Sequence, residues 1–143
     1  MGGIIKKKLV MVSPIPSSVS SSIQLLMFQD ISSVEGIVEY LSKEEIFLII
    51  RCMMYKHFGE VLSIRFTPVI SKTAIVLNVK EIRTPVMVLK TEGFMEINPF
   101  TRSIYLEIII LENREERIPI RTTIYEGYVV KIGEEEYEVR YYI

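Results

Sequence analysis

The chain has a single cysteine, Cys52, a single histidine, His57, and no tryptophan. One cysteine allows no intrachain disulfide, so packing alone must hold the fold. One Cys and one His cannot build a zinc site of the usual ligand sets within one chain. Nucleophilic catalysis is left with one histidine base, which falls about 140° around a helix from the only thiol. We read His57 as structural and Cys52 as buried and inert. Glycine occurs seven times, but Gly2-Gly3 is terminal and the others stand alone. That excludes the Gly-x-Gly-x-x-Gly and P-loop phosphate cradles and the Gly-x-Ser-x-Gly nucleophile elbow. Carboxylates cluster only as Glu44-Glu45, Glu115-Glu116 and Glu134-Glu135-Glu136, which read as solvated turns and complements to a helix dipole. No catalytic residue, metal or cofactor is expected, and the reading leans against an enzyme.

Long apolar runs are missing too. The longest, Ile46 to Ile50, ends at Arg51, far short of a membrane span. The basic start through Lys6-Lys7-Lys8 precedes too short an apolar run for a signal peptide, and Ser13-Pro14 follows it. Gly2 lacks the Ser/Thr that myristoylation requires. We expect no membrane association and a place in the cytoplasm, or in the host cytoplasm or virion if the chain is viral. Net charge is −1, so no global field draws the chain to nucleic acid or anionic lipid.

What is present is apolar. Of 143 residues, 49% are hydrophobic, and the mean hydropathy of +0.30 is high for a soluble chain. Sheet faces buried on both sides, or a surface that meets another subunit, would account for it. Ile, Val and Glu are the commonest residues, Lys and Tyr are frequent, and Gln and Asn are scarce. That resembles the bias of hyperthermophile proteins, with archaea or their viruses as the expected source, although seven methionines run against it.

The length fits a single domain, 1–143, with an N-terminal strand and helical part over 1–59 and a β part over 60–143. Lys6 to Val12 alternates as a strand and stops at Pro14 and Pro16. A serine-rich run leads into a short, frayed helix through Phe28. Ser32 with Glu35, and Ser42 with Glu45, match the capping-box pattern. They predict a helix carrying Val34, Ile37, Val38 and Leu41, and another from Lys43 to Phe58 closed by Gly59. The buried stripe of the second is Ile46, Ile49, Ile50, Met53 and His57. As a helix-turn-helix the pair is poor, because it shows a DNA groove little beyond Arg51 and Lys56.

From Glu60 the period becomes two. Strands are predicted around Leu62–Phe66, Ile75–Val79, Val86–Leu89 and Phe94–Ile97, the last two separated by Gly93. Ser103–Glu112 is the firmest: Ile104, Leu106, Ile108 and Ile110 make one face wholly aliphatic, and the strand should lie mid-sheet. Ile118–Ile124 reads as a strand that lies at an edge or carries a bulge, because Pro119 lacks an amide. Tyr128–Ile132 and Tyr137–Tyr141 read as a terminal hairpin. The expected fold is α+β: two to three short helices packed on a mostly antiparallel, curled or barrel-like sheet of about six to eight strands.

Two surfaces could bind. The strands up to Arg102 are basic and the later ones acidic, so Arg65, Lys80, Arg83 and Lys90 are candidate nucleic-acid contacts. Tyr128, Tyr137, Tyr141 and Tyr142 are candidate interface residues, because a tyrosine ring can be buried while its hydroxyl finds a partner. The preferred expectation is a non-enzymatic, homo-oligomeric interaction or structural protein. The alternative is a nucleic-acid-binding module using a basic sheet face.

Overall fold

The computed structural model describes residues 7–29 and 33–143. In chain order it has strand β1 (Lys8–Pro14), helices α1 (Ser17–Phe28), α2 (Val34–Lys43) and α3 (Ile46–Phe58), then strands β2 (Ser63–Ile70), β3 (Ile75–Arg83), β4 (Met87–Asn98), β5 (Ser103–Glu115), β6 (Thr123–Lys131) and β7 (Tyr137–Tyr142). All the strands join one antiparallel sheet in the order β1-β5-β4-β3-β2-β7-β6. The fold is the expected α+β, with the sheet curled and not closed. β2 to β5 form a meander of chain neighbours. β1 adds beyond β5, and the terminal hairpin turns back so that β7 pairs with β2 and β6 lies outermost.

Alternation decides which side of the sheet meets the helices. Ile104, Leu106 and Ile108 of β5 are fully buried, as are Ile75 and Leu77 of β3 and Ile64 and Phe66 of β2. They share one core with Ile23 of α1, Ile37, Val38 and Leu41 of α2, and Ile46, Phe47, Ile50 and Met54 of α3. β5 is an interior strand but not the middle one, since β3 holds that place. Its second face, with Tyr105, Ile109 and Leu111, has no helix over it, and Leu111 is exposed.

Several boundaries differ from the pattern. Ser32 lies outside the described residues; α2 starts at Val34, with the Ser33 hydroxyl accepting from the Gly36 amide at 3.0 Å. Ser42 caps nothing. It sits inside α2 and donates to the Glu39 carbonyl, and α3 begins only after Glu45, whose φ of 62° breaks the helix. The serines of α1 do not fray it: Ser21 and Ser22 donate to the carbonyls of Ser17 and Ser18 one turn back. Residues 118–122 are not a strand. The Ile118 amide instead donates to the Pro85 carbonyl, and Pro119 has none to donate.

The two short strands around Gly93 are one, because Gly93 lets β4 run straight past β5. With φ at 142° it stands opposite Ile108, and a Cβ there would lie 2.1 Å from the Glu107 carbonyl oxygen and 2.7 Å from the Ile108 Cα. Both neighbours are backbone, so relief would require the strands to part. We predict that Gly93→Ala lowers unfolding free energy by more than about 3 kcal/mol. At Gly133, where a Cβ meets only the Glu136 side chain, the same change should cost less than about 1 kcal/mol. Denaturant titration of both variants is the check; equal losses would contradict this account of Gly93.

Candidate interaction surface

The sheet curls around α3, which touches both of its outer strands, β1 and β6. The buried stripe of α3 is Ile46, Phe47, Ile50 and Met54. The predicted stripe was displaced around the axis: Ile49 and Met53 are only half-buried and His57 is exposed. Cys52, expected to be buried, is exposed. The rotation has a cause in Tyr141. That ring is fully buried, and its hydroxyl donates to the Phe47 carbonyl at 2.5 Å. Burial pushes the Tyr141 phenol far above its ordinary pKa, so it remains a donor.

Two grooves flank the solvent side of α3. The larger, about 670 Å³, lies between α3 and β1 and includes Val10, Met11, Val12, Leu48, Ile49, Cys52 and Met53, with Lys56 and His57 at its border. The smaller, about 320 Å³, lies between α3 and β6 and includes Leu48, Arg51, Cys52, Tyr55 and Tyr125. Leu48 and Cys52 belong to both and form the ridge between them. Tyr55 and Tyr125 are 61% and 85% exposed, so this region is apolar for open surface.

The two sheet edges are treated differently. β6 is irregular, its register shifting between Thr123 and Tyr128. Arg51 reaches it from α3: one guanidinium nitrogen donates to the Ile124 carbonyl at 2.5 Å, another pairs with Glu60, and the group lies 5.1 Å from the Tyr141 ring centroid. A bulge and a bound side chain are recognised ways to block an edge. β1 is regular over its whole length against β5. The Ile110 amide donates to the Lys7 carbonyl and the Ile15 amide to the Arg102 carbonyl. Alternation then turns the backbone groups of Leu9, Met11 and Ser13 toward β5 and those of Lys8, Val10 and Val12 away from it. Pro14 falls in the outward set, where a missing amide costs the sheet nothing.

The predicted tyrosines divide. Tyr137 is buried and stacked on Phe66, and Tyr141 is in the core, so neither is available to a partner. Tyr128 is partly exposed and donates to the Tyr142 carbonyl; Tyr142 is half-buried. The predicted cations gather on the outer face of the sheet but among acids. Arg65 lies 3.7 Å from Glu81 and 3.8 Å from Glu138, Arg83 is 3.1 Å from Glu81, and Arg140 is 2.5 Å from Glu138. Lys90 is 3.7 Å from Glu112, and Lys80 is exposed. The charge split along the sequence therefore cancels in space, because β7, from the acidic end, pairs with basic β2. What sequence patterning missed was the apolar surface on both sides of this edge: Leu48, Cys52 and Tyr55 on α3, and Val10 and Val12 on the outer face of β1. Val10 and Val12 were legible as one side of a strand, but nothing local said that strand would be an edge.

Among the described residues, no group of three or more Cys, His, Asp or Glu is placed to hold a metal ion, and no helix is long and apolar enough to cross a membrane. Comparisons with family models, with curated proteins and with solved structures find no match to this chain.

Two predictions follow from these contacts. Arg51→Met leaves the Ile124 carbonyl and Glu60 without their partner, so hydrogen exchange at the β6 amides should quicken at least about tenfold and stability should fall by about 2 kcal/mol. Unchanged protection of β6 would mean that Arg51 does not hold that edge.

On the outer face, Lys8 stands 2.9 Å from Glu107 and the Tyr105 hydroxyl donates to it at 3.1 Å. These hydrogen bonds, from Lys8 first and then Tyr105, hold the Glu107 carboxyl below its ordinary range. A depressed carboxylate stabilises the fold above the unfolded value of about 4.3, and that contribution is lost as pH falls through the lowered folded value. Glu107→Gln should therefore flatten the acid limb of the stability–pH curve, measured by thermal unfolding between those two values, and leave its shape near neutrality unchanged.

Proposed function

We propose that this is a non-enzymatic interaction protein that works as a homo-oligomer through protein–protein contacts. The observation that carries the reading is the exposed apolar rim around α3, set beside a sheet edge whose backbone groups pair with no other strand among the described residues. Surfaces of that kind mark association sites in stable proteins. The high mean hydropathy of the chain fits the same reading. The linked Arg65, Glu81, Arg83, Glu138 and Arg140 network supports the high-temperature origin suggested by composition, because such networks gain weight as temperature rises. A nucleic-acid role for Arg65, Lys80, Arg83 and Lys90 draws less support, since three of the four already lie beside glutamates.

Size-exclusion chromatography with light scattering tests the reading. At micromolar concentration the mass should be a multiple of 16.6 kDa and should fall on dilution. A strict monomer at the highest soluble concentration would overturn it.

A further inference from the structure

We infer that the occupant of the open β1 edge is the β1 strand of a second copy, added antiparallel about a twofold axis so that two sheets become one. This rests on the self-association proposed above and names the surface that performs it.

The edge complements itself. Its outward residues are Lys8, Val10, Val12 and Pro14. With the axis passing beside Met11, Val10 stands opposite Val12 of the second copy and Lys8 opposite its Pro14. Each Val10–Val12 pair exchanges two backbone hydrogen bonds, and the Lys8 amide reaches the Pro14 carbonyl, for about six bonds across the junction. Pro14, the one residue without an amide, falls where only its carbonyl is used. The two Lys8 side chains lie at opposite ends of the new ladder and do not face one another.

The helices agree with this geometry. The axis runs perpendicular to the sheet, so α3 meets the α3 of the second copy running the opposite way. The basic end of α3, with Lys56 and His57 exposed, then faces the acidic start of the other, where Glu45 is exposed and Glu44 half-exposed. Antiparallel helix dipoles add to that complementarity. The ridge residues Leu48 and Cys52 lie toward the middle of the pair, so the groove lined by Ile49 and Met53 closes against its own image. A strand edge alone is small beside the roughly 1,200 Å² that a stable interface buries, and the α3 face supplies the remainder. β6, blocked by Arg51 and by its bulge, offers no comparable edge.

Two measurements test this. Val12→Pro removes an outward amide, as Pro14 already does, and leaves the β1–β5 ladder intact. It should keep the circular dichroism spectrum and cooperative unfolding of the parent while its dimer dissociation constant rises at least about thirtyfold. Independently, a short bismaleimide should join Cys52 to Cys52 between parent chains, and the cross-link should disappear in Val12→Pro. If Val12→Pro does not fold, cross-linking of the parent through Cys52 decides alone. A parent dimer that persists in folded Val12→Pro, or one that gives no Cys52 cross-link, overturns this inference and assigns association to another surface, such as the outer face around Ile109. A parent that is strictly monomeric overturns the self-association reading itself.

Discussion

A single phenol ties the two halves of the chain together. Tyr141 is fully buried, and a buried hydroxyl must find a partner. The acceptor it takes is the Phe47 carbonyl, within the first turns of α3. The Arg51 guanidinium, one turn along, lies over the same ring and reaches on to β6. One aromatic side chain from the last strand therefore holds one rotation of α3 and, through Arg51, lies in a chain of contacts that reaches β6. Everything on the solvent side of α3 follows from that rotation. Leu48 and Cys52 become a ridge because Phe47 and Ile50 are turned inward.

Much of the fold was legible because sheet periodicity is local. The even face of β5, the helical run before Gly59 and the terminal hairpin needed no knowledge of partners. What was not legible depended on contacts far along the chain. A helix with apolar residues on most of its circumference has no single best stripe, and the choice between Ile49 with Met53 and Phe47 with Met54 was made by Tyr141. Gly93 looks like an interruption until β5 lies across it. Ser42 matched a capping pattern, but a motif of two residues cannot overrule a turn formed three residues later at Glu45. The candidate surface was harder still, because whether a strand is an edge depends on the order of the whole sheet.

Charge shows the same dependence on topology. Read in order, the chain passes from basic strands to acidic ones, which suggests two fields on one molecule. The hairpin returns β7 to β2, and Glu138 comes to rest between Arg65 and Arg140. Glu138 is buried, and the two guanidinium groups beside it offset the cost of removing a carboxylate from water. The separation of charge along the chain is thus what lets oppositely charged strands pair.

β1 has a different history from its neighbours. It is synthesised before every other element, yet its strand partner β5 lies about a hundred residues downstream, and closing so long a segment costs entropy that the β2–β5 meander avoids. The meander can therefore form with the β5 edge still open. The strand that borders the finished sheet is thus the one whose place depends on the longest closure in the chain, so the edge it presents exists only once the rest of the sheet has been built.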